Sequence, residues 1–359
     1  MRSLIVWIAA PLLAQSQGFR GDLDAGHFLK VLADSEIRLR QSPEDALAHA
    51  ARAQALISLL RMEEAKVEAD RAIALNPNLA DALLARGLAR AGQALKARNF
   101  SSLRGVGESM DDLRAATQAD PTLIRAWMSL GIGYEQLPWA LGGSTKKALQ
   151  CAESLRKVAP AKGDLLQALV HSMDGEWRKA EPFFGRALGL APTDPEIVSG
   201  YLEALDDKAS KKALGEAGKN ARLVSEARRL LPGVRRSALG VVAVSDALLN
   251  GGQWEEAWKV AEAGLKEVDA PSLLRLQLGK VAARTDLHRS EGLAFLDQVL
   301  KEPLEGGSGG YASAHWRKGQ ILKSLGRVKE AHQEAELTLK LDLHHRGAQE
   351  LITVLPLDR

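Results

Sequence analysis

The chain has 359 residues, 46 % of them hydrophobic but only 4 % aromatic, and its long stretches of Ala, Leu, Lys, Arg and Glu are helix-forming material. The shortage of aromatic residues, with few β-branched ones, excludes a sheet-dominated fold, so an all-α protein is expected. A formal charge of +3 with acids and bases intermixed lacks the dense basic stripe that neutralises a phosphate backbone, and nucleic acid is excluded as a partner.

The opening stretch, MRSLIVWIAAPLLAQSQG, carries Arg2, an apolar run from Leu4 to Ala14, and the triplet Ala14-Gln15-Ser16. Small residues at the first and third places of that triplet suit signal peptidase, so residues 1–16 read as a signal peptide cleaved after Ser16. The run falls short of the roughly 20 residues a membrane span needs, and Pro11 interrupts it. No cysteine follows it to take a lipid, so the expected product is exported, periplasmic or secreted, with no stable membrane anchor. Cys151 is the only cysteine and cannot form an internal disulfide; it reads as a small buried hydrophobe.

Residues 17–45 read as an N-terminal cap with one helix over 24–41. Beyond it, Pro43, Pro77, Pro121, Pro160, Pro192, Pro232 and Pro303 each follow an Ala/Leu-rich run. Their spacings are 34, 44, 39, 32, 40 and 71 residues, the last being about two units. Proline closing a helix at a period in the thirties marks a helical solenoid. Inside the units, Ala65, Ala148, Ala180, Ala257 and Ala331 stand where two helices must approach closely. Gly175, Gly252 and Gly326 lie five residues before three of those alanines, at the turn between paired helices.

In residues 126–160, Trp127, Leu130, Gly131 and Tyr134 are followed by Ala148 and Pro160. This set resembles the tetratricopeptide repeat (TPR) signature W-x2-L-G-x2-Y…A…P. The resemblance implies a right-handed α-solenoid of stacked helix-turn-helix units, with Trp127 and Tyr134 in the core. About eight units are expected over residues 46–343: 46–79, 80–123, 124–160, 161–192, 193–235, 238–271, 272–305 and 312–343. Residues 344–359 should cap the far end with a terminal helix. The residue beside the glycine place and its partner on the second helix are complementary in Arg52/Glu68, Arg86/Asp112 and Lys318/Glu334. They are both apolar in Leu130/Cys151, Val244/Val260 and Leu278/Ala294, while Gln167/Phe183 fits poorly.

Four stretches depart from the pattern. Residues 91–109 lengthen the second hairpin. LPWALGGS (137–144) is inserted between the helices of the third unit, and is similar to Pro-Trp…Gly-Gly turns of some envelope TPR proteins, including the T-component of certain TRAP transporters. Residues 206–232 keep Ala213, Ala217, Ala221, Val224, Ala227 and Leu231 at helical spacing and read as one long helix with a basic outer face. EPLEGGSGG (302–310) reads as a flexible joint.

No HExxH, Walker loop, GxSxG or cysteine pair is present, and His332, His344 and His345 read as solvated surface histidines rather than metal ligands. No catalytic residue, metal or cofactor is therefore expected. What the resemblance implies instead is a concave face built by the first helices. It would present Met128, Ile132, Leu165, Leu169, Ile197 and Tyr201 centrally, and Lys280, Arg284, Trp316 and Gln320 towards the C-terminal end. An apolar centre with a basic end suits an amphipathic helix or a peptide with an acidic end. The expected function is a non-catalytic protein–protein interaction scaffold of the cell envelope. A solute-binding accessory subunit of a transporter, similar to the T-component, is the alternative.

Overall fold

A computed structural model describes residues 19–97, 102–268, 271–305 and 307–354. The signal-peptide stretch 1–16 lies outside the described residues. Every regular element among those described is helical, so the fold class is all-α.

Residues 19–25 are helical, and the helices that follow are α1 Phe28–Gln41, α2 Ala46–Ser58, α3 Met62–Leu75, α4 Ala80–Ala97, α5 Ser102–Ala119 and α6 Ile124–Gln136. The 3-10 turn Trp139–Leu141 precedes α7 Thr145–Val158, α8 Pro160–Met173, α9 Trp177–Leu190, α10 Pro195–Asp206 and α11 Lys208–Val234. The remainder are α12 Ala238–Asn250, α13 Trp254–Gly264, α14 Pro271–Thr285, α15 Arg289–Val299, α16 Gly307–Ser324, α17 Val328–Leu341 and α18 Arg346–Val354. The chain divides into two compact units, residues 1–144 and 145–359.

Local chemistry explains where these helices begin. Asp45 accepts from the amides of Leu47 and Ala48, each at 3.0 Å, to cap α2. Asp194 does the same for α10, accepting from Glu196 and Ile197, with Pro195 supplying a first helical residue that needs no donor. Pro43, Pro77, Pro121 and Pro192 all sit in turns between helices.

In the first unit, α2, α3 and α4 meet through three layers of alanine-rich contacts. These are Ala50 with Ala72 and Ala82, Ala53 with Ala69 and Ala85, and Leu56 with Ala65 and Ala89. Each layer takes one residue from each helix, so the spacing of three or four along the sequence becomes a stack. Small side chains let the helix axes approach, and close approach is what a solenoid of paired helices requires. The expected seam alanines Ala65, Ala148, Ala180, Ala257 and Ala331 are all fully buried. The turn glycines Gly175, Gly252 and Gly326 adopt φ of +79°, +82° and +73°, conformations that a side chain resists.

The three charge pairs also form. Arg86 grips Asp112 through Nη2 at 2.6 Å and Nε at 3.0 Å. Arg52 Nε lies 3.1 Å from Glu68, and Lys318 Nζ lies 2.8 Å from Glu334. Phe183, the poor fit opposite Gln167, is covered by two guanidiniums, with Arg186 4.2 Å and Arg156 5.7 Å from its ring centre. Both arginines also hold buried Asp164, and Arg156 donates to Gln167. The mismatch is resolved by charge over an aromatic face rather than by apolar packing.

Several expectations are corrected. Residues 206–232 are not one uninterrupted helix, because Gly215 has φ +73° and ψ 163° and breaks α11. Ala217 and Ala221 consequently face solvent, whereas Lys219 is buried and donates to Asp206 at 2.6 Å. The supposed joint 302–310 is helical from Gly307, and a Cβ at Gly310 would lie 2.2 Å from buried Leu304. The N-terminal segment is interrupted at Gly26, φ +82°, so α1 starts at Phe28 rather than at residue 24. Trp127 is only half-buried, its Nε1 donating to the Pro121 carbonyl at 2.9 Å, while Tyr134 is buried as expected.

Candidate binding surfaces

The inner-face residues expected to meet a partner divide between the two units. In the first, Met128 is buried and Ile132 half-buried on α6. In the second, Leu165 and Ile197 are among the most completely buried side chains. Leu165 and Leu169 press against Gly200 of α10, where an added Cβ would stand 3.1 Å and 3.7 Å from them. Tyr201 is buried with its ring 5.4 Å from Phe184, and its hydroxyl accepts from Arg222 at 3.4 Å. Burial pushes the Tyr201 phenol above its ordinary value. As they stand, these apolar residues cement successive helices and offer a partner little surface.

The basic end is largely satisfied within the chain. Lys280 Nζ donates to Asp246 at 2.7 Å, and Arg284 Nη1 donates to Asn250 at 2.6 Å. Gln320 accepts from Arg317 at 2.9 Å. Burial lowers the Arg317 guanidinium, and the neighbouring charge of Arg284 lowers it further, against an opposing pull from Asp246. Trp316 is covered by the C-terminal helix. A Cβ on Gly347 would come within 2.6 Å of its ring, and His345 lies 5.1 Å from it centre to centre.

One opening in the second unit is a cleft of about 360 Å³ along α10 and α12. Ser199, Glu203, Asp206, Asp207, Leu239 and Asp246 line it. Asp206 pairs with Lys219, and Asp246 with Lys280. Glu203 accepts from the Ser199 hydroxyl at 2.8 Å. Among the described residues no cation pairs with Glu203 or Asp207, and Leu239 is exposed beside them. This surface is acidic with an apolar strip, the opposite of the basic end expected from sequence. A signal for it existed: Ser199, Glu203 and Asp206, and Leu239, Ala243, Asp246 and Asn250, recur at steps of three or four and share a helix face.

The first unit has a different arrangement. Gln54 of α2, Asp81 of α4 and Arg125 of α6 form a chain of hydrogen bonds. Gln54 Nε2 donates to Asp81 Oδ1 at 3.1 Å, and Arg125 Nη1 donates to Gln54 Oε1 at 2.9 Å. Arg20, from the helical piece 19–25, lies on Asp81 with Nη2 at 2.6 Å from Oδ2, and on Asp120 at 3.1 Å. The LPWALGGS insertion in this unit makes a 3-10 turn that leaves Trp139 87 % exposed. Ser144 N then closes back on the Tyr134 carbonyl at 2.8 Å.

Among the described residues no group of three or more His, Cys, Asp or Glu could hold a metal ion, and no helix is long and apolar enough to cross a membrane. No protein-family model matches the chain, and no curated protein matches it in sequence. Among solved structures, yeast Tom70 is similar over 86 % of this chain and 61 % of its own, at 16 % identity and a TM-score of 0.53. A thermophilic TPR protein of Thermus thermophilus matches over 53 % of this chain and 96 % of its own, at 18 % identity and a TM-score of 0.46. A tetratricopeptide repeat protein of Parabacteroides merdae matches over 74 % and 96 %, at 15 % identity and a TM-score of 0.43. This chain thus spans about three-fifths of Tom70, and at such identities the likeness extends to fold alone. With its buried alanine seams and left-handed glycine turns, that fold is an all-α solenoid of TPR-like helix pairs.

Proposed function

We propose that this protein is a non-catalytic interaction scaffold of the cell envelope that holds a peptide or helix of a protein partner. The observation that carries the reading is the acidic cleft of the second unit, with unpaired Glu203 and Asp207 beside exposed Leu239. A segment with lysines or arginines interleaved with apolar residues complements it. Charge would steer the encounter, and the apolar strip would supply affinity. The envelope location rests on Arg2, the apolar run from Leu4 to Ala14, and the Ala14-Gln15-Ser16 triplet.

Two experiments test this. Fractionation with N-terminal sequencing should recover an exported chain beginning at Gln17; a cytoplasmic product still carrying residues 1–16 would refute the location. For binding, the parent and a variant with Glu203→Lys, Asp207→Lys and Leu239→Asp are used as paired baits in an envelope extract. All three positions are exposed, so the helical circular dichroism should be unchanged. A partner held by the parent should be lost by the variant. Equal retention by both would remove the cleft from the function.

A further inference from the structure

The polar chain Gln54–Asp81–Arg125 in the first unit is already engaged, and its occupant comes from the same polypeptide. Arg20 lays its guanidinium on Asp81, with Nη2 2.6 Å and Nε 3.1 Å from Oδ2, and reaches Asp120 at 3.1 Å. Asp81 is buried, and among the described residues Arg20 is the cation that pairs with it. Phe19 and Leu23 flank the arginine. Leu23 joins Val31, Ala51 and Ala55 in one apolar cluster, with Phe19 packed on its edge.

The described residues that deliver these side chains, 19–25, are helical. They are joined to α1 through Gly26, whose φ of +82° makes a sharp left-handed turn. Residues from two neighbouring helices, Leu47 and Gln54 of α2 and Asp81 of α4, surround their apolar and guanidinium groups. We propose that this surface of the first unit, centred on Asp81, is a receptor for an arginine-bearing apolar segment of a partner protein, and that residues 19–25 occupy it as an intramolecular stand-in.

The chemistry restricts what can replace the stand-in. Removing Arg20 leaves buried Asp81 with the Gln54 amide but no counter-charge, so a displacing segment that brings a cation is favoured over one that does not. The two-atom contact of Nε and Nη2 with Asp81 favours a guanidinium over a lysine ammonium. Apolar residues one before and three after that arginine, as Phe19 and Leu23 are, complete the match. The inference rests on the reading of the protein as a segment-binding scaffold. It concerns the first unit, whereas the bait experiment interrogates the cleft of the second, so the two fail separately.

The test uses full-length protein and a labelled peptide of residues 17–27, QGFRGDLDAGH, followed by fluorescence anisotropy. In the parent, the tethered copy competes at an effective concentration on the order of millimolar, so the free peptide should bind at least about tenfold more weakly than to an Arg20→Ala chain. A peptide carrying the same Arg20→Ala change should not bind, and adding Asp81→Asn to the Arg20→Ala chain should abolish binding. No gain of binding in a folded Arg20→Ala chain, or binding that survives Asp81→Asn, overturns the proposal. Dimerisation of the parent that is lost in Arg20→Ala would make a second copy the occupant and overturn it too. Should Arg20→Ala fail to fold, hydrogen exchange on the parent decides. Amides of 19–25 should open at least about tenfold faster than those of α2, and equal protection refutes a displaceable segment.

Discussion

Leu60 turns between α2 and α3 with φ +60°, the place that Gly175, Gly252 and Gly326 hold in other pairs. A Leu in that conformation sets its Cβ against the backbone, at a cost of about 1 kcal/mol. Leu60→Gly should therefore stabilise the chain by up to about 1 kcal/mol, less the entropy a glycine adds to the unfolded state, measured by urea unfolding. A fall in stability would mean that the half-exposed leucine side chain contributes packing that outweighs its backbone strain. Glu334 makes a different single-residue case. Burial pushes its carboxyl up, but hydrogen bonds from His315 at 2.6 Å and from Lys318 outweigh this and leave it below its ordinary value. A carboxylate lowered on folding contributes stability that is complete above its unfolded value, about 4.3, and is lost as pH falls through the lower folded one. Glu334→Gln should flatten the acid limb of the stability curve below about pH 4.3. The Lys318/Glu334 pair was legible because opposite charges stood at equivalent positions of one repeat. His315 was not, since its contact depends on a ring orientation that spacing does not encode.

Helices read well from sequence wherever alanine spacing repeats, and poorly wherever a glycine could either continue a helix or end it. Residues 206–232 show this: the apolar places kept helical rhythm straight through Gly215, yet the backbone leaves the helix there. That φ/ψ combination is almost exclusive to glycine. Gly215→Ala should cost about 1–3 kcal/mol by thermal or denaturant unfolding, although an added Cβ would meet no atom within 4 Å. Unchanged stability would show that α11 can straighten. The opposite error occurred at 307–310, where a glycine cluster looked like a linker but continues into α16 because Gly310 lets the helix close on Leu304. The inner-face residues mislead for a related reason. Leu165, Leu169, Ile197 and Tyr201 keep helical spacing along α8 and α10, but side-chain rhythm does not distinguish a face packed on the next helix from a face open to solvent.

The boundary between the compact units, Ser144/Thr145, falls inside the repeat with the most complete signature, between α6 and α7. Helix α7 packs instead on α8, so closely that a Cβ at Gly163 would lie 2.4 Å from Arg156 Cα. The signature thus marks repeat rhythm and does not mark where contacts thin out. A fragment starting at Thr145 should unfold cooperatively. One starting at Ala161, which loses α7 and the buried Leu155, should melt at least several degrees lower, since a single Leu-sized core loss costs about 2–5 kcal/mol. Equal melting temperatures would show that α7 contributes nothing to the second unit.

The placement of the indole rings carries a spectroscopic consequence. Trp177 and Trp258 are buried in the second unit, whereas Trp139 of the first is almost fully in solvent and Trp127 half so. Emission from the buried pair should be blue-shifted and shielded from iodide, and Trp139 should be red and readily quenched. Loss of the blue component therefore reports on the second unit, while ellipticity counts helices in both. Superimposable melting curves from the two signals would indicate a single cooperative block, and displaced ones two.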